Sequence, residues 1–172
     1  KVDRLNISLL NRQPQTKSKR LKRLLMQSLI PLLTTILSGH REWFKTKGNS
    51  GTFADLSEEN LEKGNFANSV LVEANFRGSN LDKSNFKNSD LRGANFHDAL
   101  LTKAQFQNCN LEEADLMWAD LKGAIFDNAS LEGAYLHGAD LRETNITKDQ
   151  IKFAYSDEDT LFPIFTSDKE KT

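Results

Sequence analysis

The sequence of 172 residues has one cysteine, three prolines, two tryptophans and two tyrosines. A single cysteine excludes disulfides within the chain. Because Cys109 stands at a position where a repeating pattern otherwise places small residues, we expect a buried, unreactive thiol. The apolar run from Leu24 to Ile36 is interrupted by polar residues and is shorter than the roughly 20 residues of a spanning helix, so a transmembrane segment is not expected.

Groups of residues that carry out catalysis or hold cofactors are also missing. His40, His97 and His137 have no carboxylates at the spacing of metal ligands, so we expect surface imidazoles. The glycines form no phosphate-binding loop, and no serine has a partner base at a recognisable spacing. The sequence therefore predicts a protein that is not an enzyme and that uses no cofactor or metal.

Charge is divided unevenly along the chain, although its net charge is only −1. Residues 1–50 carry a net charge of +9, and the remaining residues carry −10. Halves of opposite sign indicate two parts with different partners, or one part that lies against the other.

A large apolar residue recurs at every fifth position from Leu56 to Ile146, through nineteen consecutive pentads, and Ile151 follows in phase. We call this residue the centre of its pentad. Two positions before almost every centre stands a small residue, usually Ala or Ser. Five fits neither the period of a helix nor that of a strand. Each pentad is therefore predicted to form one side of a solenoid coil, with the centre and the small residue pointing inward.

The centres sort into four columns in steps of twenty residues, and we number these columns as walls 1 to 4. They are Leu56, Phe76, Phe96, Leu116 and Leu136 (wall 1); Leu61, Leu81, Leu101, Leu121 and Leu141 (wall 2); Phe66, Phe86, Phe106, Phe126 and Ile146 (wall 3); and Leu71, Leu91, Leu111, Leu131 and Ile151 (wall 4). A ladder of side-chain amide bonds is expected along wall 3, at Asn68, Asn88, Asn108 and Asn128. Coils stacked ~4.8 Å apart predict a short rod of about five coils with a dry core.

Two runs carry a family resemblance: "ADLMWADLKGAIFDNASLEGAYLHGADL" (Ala114–Leu141) and "ANFRGSNLDKSNF" (Ala74–Phe86). They resemble the pentapeptide-repeat proteins, whose consensus is A(D/N)LXX. The resemblance implies an all-β solenoid, a right-handed quadrilateral β-helix, over residues 52 to 155. The segment Ile146–Pro163 is also similar to the closing segment of such proteins from photosynthetic bacteria. The family implies a fold more than an activity, although its quinolone-resistance group binds DNA gyrase as a mimic of duplex DNA, and other members occur in thylakoid or membrane contexts.

Two neighbouring walls of the predicted rod are acidic, each with a net charge of −3 at its outward positions. Such walls favour a partner with a basic surface. The acidic residues are Asp55, Glu58, Asp98 and Asp115 on wall 1, and Glu73, Asp90, Glu112, Glu113 and Glu132 on wall 4.

Several outward positions are apolar rather than charged. Met117, Trp118 and Tyr135 fall on one wall beside His137, and Leu100 and Ile125 are further apolar residues at outward positions. An exposed apolar cluster indicates contact with a partner protein or a second copy. The alternative is that the N-terminal extension or the C-terminal tail folds over it.

The segment from Ser18 to Phe44 is predicted to form a basic amphipathic helix that Pro31 stops or kinks. Two interpretations stay open: the helix covers the open core of the first coil, or it lies on an anionic membrane surface with Trp43 and Phe44 as anchors. The residues concerned are Lys19, Arg20, Leu21, Lys22, Arg23, Leu24, Leu25 and Leu29.

These observations divide the chain into a flexible basic arm (1–17), a helical extension (18–49), the β-helix (50–155) and a closing tail (156–172). The predicted function is a non-catalytic scaffold for a protein partner, with a homodimer left open and no direct binding of nucleic acid by the rod. The alternatives are a DNA mimic that binds gyrase and a scaffold held at a membrane by residues 18–44. A cytoplasmic location is favoured, with membrane association as the alternative.

Overall fold

The computed structural model describes the backbone of residues 19–165 and the side chains of residues 31–165. Helix α1 spans Lys19–Lys45. From Asp55 to Leu161 the chain forms a ladder of single parallel β-bridges, without longer strands in the described residues. Nearly every bridge joins residues that are 20 positions apart, such as Asp55 with Asn75 and Asn75 with Asn95. This register confirms that one coil contains four pentads.

The core is a stack of the pentad centres. Phe86 lies between Phe66 and Phe106 on wall 3, with ring centroids 4.7 and 5.2 Å apart and the rings nearly parallel. The rings of Phe76 and Phe96 on the opposite wall meet Phe86 edge to face, at 5.7 and 5.6 Å. All five rings are completely buried. Offset stacking and edge-to-face contacts are the arrangements that aromatic rings prefer, so the two walls of rings interlock through the axis of the rod.

Some of the small residues two positions before the centres also donate hydrogen bonds to backbone carbonyls in the interior of the rod. Ser79, Ser89 and Cys109 donate to the carbonyls of Leu56, Phe66 and Phe86, at 2.6, 2.7 and 2.7 Å. Burial raises the pKa of the Cys109 thiol to about 11, so that the thiol stays protonated. The predicted burial of the cysteine is confirmed, and the raised pKa favours an unreactive thiol.

The predicted asparagine ladder is present along the corner that follows wall 3. Asn88, Asn108 and Asn128 each donate a side-chain amide bond to the asparagine one coil earlier, at 3.2, 2.9 and 3.1 Å. All members of the ladder have a left-handed backbone, with φ between 57° and 60°. Asparagine adopts this conformation more readily than most residues, because its short side chain can hydrogen-bond locally.

Helix α1 continues through Pro31, so proline does not stop the helix, and a kink at Pro31 stays a prediction. The residues that follow Pro31 pack on the rod: Ile36 belongs to the buried core, and Leu32, Leu33 and Leu37 lie against it. This packing of an apolar face outweighs the one hydrogen bond that a proline removes. The second half of α1 thus packs its apolar side chains against the core of the rod, and its role as a cap of the first coil stays a prediction. The side chains of the predicted basic amphipathic segment, residues 19–29, lie outside the described residues.

His40 is completely buried between α1 and the first coil, which corrects the expectation of a surface imidazole. Its Nδ1 accepts the N–H of Ala54 at 3.1 Å, and its Nε2 lies 2.9 Å from the carbonyl of Val72. These two bonds require a neutral ring that carries its proton on Nε2. Trp43 stacks on the ring at 5.4 Å, and Phe53 meets its edge. His40 therefore joins the helix to the ladder by polar and aromatic contacts together.

The ladder becomes irregular at the C-terminal end. Phe126 donates its N–H to the side chain of Asn145, and the Gln150 amide donates to the carbonyls of Phe126 and Ala129, where a regular coil would provide backbone groups. The last bridge joins Asp140 to Leu161, which are 21 positions apart and not the usual 20. Ile151, Ala154 and Phe162 pack against the end of the core.

Candidate protein-interaction surface

Corners of the coil fall two residues after each centre, and most of them have a left-handed backbone. Glycine occupies several, such as Gly133 (φ 68°) and Gly138 (φ 66°), but Glu113 (φ 57°) and Trp118 (φ 59°) adopt the same conformation. For a residue with a Cβ, a left-handed backbone costs roughly 1–2 kcal/mol. A tryptophan in this conformation is unusual, because bulky residues are uncommon there.

The indole of Trp118 covers the corner of the next coil. A Cβ at Gly138 would come within 2.6 Å of the ring atoms Cδ2 and Cζ3, so the ring lies directly on the Gly138 backbone. Trp118 as a residue nevertheless stays 54% exposed. One face of the indole is therefore held by the rod, and the rest of the ring is open to solvent.

Two tyrosines continue this surface across wall 1. Tyr135 bridges to Asp115 on one side and to Tyr155 on the other. The two tyrosine rings stack with centroids 5.3 Å apart, and both are exposed. At the corner between walls 4 and 1, Phe153 is 65% exposed. We call Trp118, Tyr135, Phe153 and Tyr155 the aromatic face.

A groove of about 650 Å³ separates the aromatic face from the acidic side chains of wall 4. Gly133 lies in it, with Glu113 on one side and Phe153 on the other: a Cβ at Gly133 would meet the Glu113 Cγ at 3.4 Å, and the Gly133 N–H donates to the Phe153 carbonyl at 3.0 Å. Glu112, Glu132, Lys152 and Tyr155 also line the groove. The Lys152 Nζ lies 5.3 Å from the centre of the Phe153 ring.

Part of the predicted acidity of walls 1 and 4 is neutralised by neighbouring arginines. Arg92 forms a two-pronged pair with Asp90, at 2.9 and 2.7 Å. Arg77 reaches Asp98 in the next coil at 3.0 Å. Both pairs lie in earlier coils than the groove. In the groove itself, Lys152 offsets one of the three carboxylates of Glu112, Glu113 and Glu132, so the side chains that line it carry a net charge of −2.

The described residues contain no cluster of His, Cys, Asp and Glu side chains that could hold a metal ion. Within the same part of the chain, no helix has both the length and the apolar character of a membrane span.

Comparisons with known proteins agree with this architecture. A family model described as a pentapeptide repeat region matches residues 59–136 and 80–154. The chain belongs to the pentapeptide-repeat family. Proteins of this family fold as right-handed quadrilateral β-helices, and the four walls of this chain match the quadrilateral cross-section.

Two solved pentapeptide-repeat structures are similar to this chain. One is a protein of the thylakoid lumen of Arabidopsis thaliana, with 34% identity over 58% of this chain and 70% of that chain, and a TM-score of 0.56. The other is from Nostoc PCC 7120, with 25% identity over 73% of this chain and 85% of that chain, and a TM-score of 0.51. No curated protein matches the sequence. The similarity therefore concerns the repeat rod. The function of the rod's surface is inferred from the residues of this chain.

The pentapeptide-repeat rod brings together some of the predicted patch residues and separates others. Trp118 and Tyr135 are exposed on wall 1, with Met117 and His137 half-buried beside them. Leu100 bridges to Asp120 on wall 2, and Ile125 bridges to Gln105 on wall 3, so neither joins the aromatic face.

Two exposed residues of the aromatic face, Phe153 and Tyr155, were missed by the sequence interpretation. Tyr155 follows Tyr135 by twenty residues, so extending the columns through the end of the repeats would have found it.

Proposed function

We propose that the protein is a non-catalytic scaffold in which a rigid rod of about five coils presents the aromatic face to a protein partner. The main observation behind this proposal is the exposure of Trp118. Its left-handed corner would be occupied at lower conformational cost by glycine, which stands at the same corner one coil later, in Gly138. A bulky ring at such a corner, half open to solvent, is better explained by binding than by folding.

The neighbouring rings support the same conclusion. Tyr135 and Tyr155 are fixed to each other by stacking and to the ladder by their backbones, so little rotational freedom would be lost when a partner covers them. Interfaces are enriched in tryptophan and tyrosine, because these rings bury a large area and keep a polar atom at the rim. A rigid aromatic surface on a repeat rod therefore fits a protein partner.

The test is affinity capture of the full-length protein from its native cells. We expect a partner that the wild type recovers and that a variant with Trp118→Gly and Tyr155→Ser loses. Lys103→Gly is the matched control, because Lys103 is an exposed left-handed corner on wall 2 (φ 55°). Equal recovery by all three proteins would contradict the proposal, since the partner would then bind elsewhere.

A DNA mimic that binds gyrase remains the second candidate. The carboxylates at the corner between walls 4 and 1 favour it: Glu73 and Glu113 occupy the same column two coils apart, which is ~10 Å. Against it, arginines neutralise Asp90 and Asp98 on these walls. The test is the supercoiling of DNA by gyrase in the presence of excess protein. Unchanged supercoiling excludes this candidate.

A further inference from the structure

The groove beside the aromatic face includes a glycine corner that no side chain covers, unlike Gly138 in the same coil. At Gly138 the missing side chain is replaced by the indole of Trp118. At Gly133, in the same coil, the nearest side-chain atom to a Cβ would be the Glu113 Cγ at 3.4 Å, and the space beyond forms part of the open groove. The rod thus leaves a side-chain-sized space at this corner, between a carboxylate and an exposed aromatic ring.

The chemistry around this space is suited to a cation. Three carboxylates line it, from Glu112, Glu113 and Glu132, and Phe153 and Tyr155 supply ring surface. Lysine and arginine side chains are attracted both to carboxylates and to the faces of aromatic rings. The chain already places one ammonium group over the Phe153 ring, from Lys152 at 5.3 Å. With Lys152 counted, the side chains around the groove still carry a net charge of −2, which favours a further cation beside Glu113 and the Tyr155 ring.

We propose that the groove receives a lysine or arginine side chain from the partner, whose binding segment is therefore basic and apolar. This inference rests on the proposed function, because the same partner would cover the aromatic face. Charge complementarity selects the occupant: a segment with acidic side chains would face three carboxylates, whereas a basic one would be attracted to them. Apolar residues beside the cation would pack on Trp118 and Tyr135.

Selection from a phage-displayed library of random linear peptides against the full-length protein tests the chemistry of the occupant. We expect enriched peptides that contain several lysines or arginines beside apolar residues. The affinity of a synthetic enriched peptide, measured by fluorescence anisotropy, should fall about tenfold when Glu113 and Glu132 are both replaced by glutamine. It should also weaken with added salt, because exposed charges are screened.

A pair of asparagine substitutions separates filling of the groove from damage to the rod. Gly133→Asn would place a side chain in the groove, and we expect about tenfold weaker binding of the peptide. Gly93→Asn is the matched control, because Gly93 occupies the same corner column, with φ 62° against 68°, and a Cβ there would meet the Glu73 Cγ at 3.6 Å. Asn68, Asn88, Asn108 and Asn128 show that this backbone accepts asparagine at such corners.

The outcomes distinguish this inference from the proposed function. Enriched peptides that are neutral or acidic, or that bind Gly133→Asn as well as the wild type, overturn the basic occupant. If those same peptides still lose binding with Trp118→Gly, the aromatic face stands as an interaction surface without a cation site. Peptides that are insensitive to both substitutions contradict both proposals. Self-association through this groove would appear in sedimentation as a dimer that Gly133→Asn dissociates, and it would identify the basic segment as that of a second copy.

Discussion

The corner that follows wall 3 and the corner between walls 4 and 1 have the same backbone and different side chains. Along the first, the four asparagines of the ladder repeat without interruption, and amide bonds connect each to the next. Along the second, Glu73, Gly93, Glu113 and Gly133 follow one another in the same left-handed conformation. The backbone of a corner therefore does not dictate its side chain. Where the side chains repeat they stabilise the stack, and where they vary they shape the surface.

The largest effect is expected where the repeat is most regular, in the core. Phe86→Ala would remove a ring that stacks on two phenylalanines and meets two others edge to face. We expect a loss of about 3–5 kcal/mol in the free energy of unfolding, because neighbouring coils cannot close around the cavity. Denaturation by urea, followed by circular dichroism, measures this loss. A loss below about 1 kcal/mol would mean that the stacked rings are replaceable.

The junction between α1 and the first coil should be sensitive to acid. Burial lowers the pKa of the His40 imidazole below its ordinary value, although the Val72 carbonyl and the Glu73 carboxylate oppose this shift. As the pH falls, His40 therefore takes up a proton in the unfolded chain before it does so in the folded protein. The stability that neutral His40 contributes is present above pH ~6.5, and it is lost as the pH falls from there toward the folded pKa.

His40→Ala should lower the free energy of unfolding by about 1–3 kcal/mol at pH ~8, because the Ala54 N–H and the Val72 carbonyl lose their partner. It should also remove the part of the pH dependence that His40 contributes. Urea denaturation at pH ~8 and pH ~5 compares the two proteins, with His97→Ala on wall 1 as the control. An unchanged pH dependence in His40→Ala would show that other groups cause the loss of stability in acid.

The sequence predicted the coil because one local rule repeats in every pentad. Each centre meets the centre twenty residues later, so Phe66, Phe86 and Phe106 could be placed on one wall before any contact was known. His40 could not be placed in this way, because its partners, Ala54 and Val72, lie on the rod and it lies in the helix. A single histidine outside the repeat has no periodic neighbour to reveal its burial.

The candidate surface was predicted only in part, for the same reason. Trp118 and Tyr135 are aromatic residues at outward positions that are otherwise mostly polar, charged or glycine, so the sequence showed them as exceptions. The contact of the Trp118 ring with Gly138 depends on a side-chain direction that the period does not fix. Phe153 lies where the register shifts, since the Gly133 N–H bonds to its carbonyl and not to that of Lys152, and such a shift is invisible in a strict count of pentads.

A smaller effect is expected from one step of the asparagine ladder. Asn108→Ala would remove the amide bonds to Asn88 and from Asn128, and it would leave a Cβ on a left-handed backbone. We expect a loss of about 1–2 kcal/mol in the free energy of unfolding. Asn108→Gly removes the same bonds without the strain, so it should lose less. Equal losses in the two variants would show that the ladder bonds alone are responsible.

The smallest effect on stability is expected at Trp118, where the comparison between corners is sharpest. Trp118→Gly removes the contact of the indole with Gly138 and relieves a strained corner, while the greater freedom of glycine in the unfolded chain costs about 0.5–1 kcal/mol. These contributions have opposite signs, so the free energy of unfolding should change by less than about 1 kcal/mol. Urea denaturation beside Lys103→Gly, which changes another left-handed corner, measures it. A loss as large as that of Phe86→Ala would show that the indole belongs to the folded core, and the aromatic face would then lose its central residue.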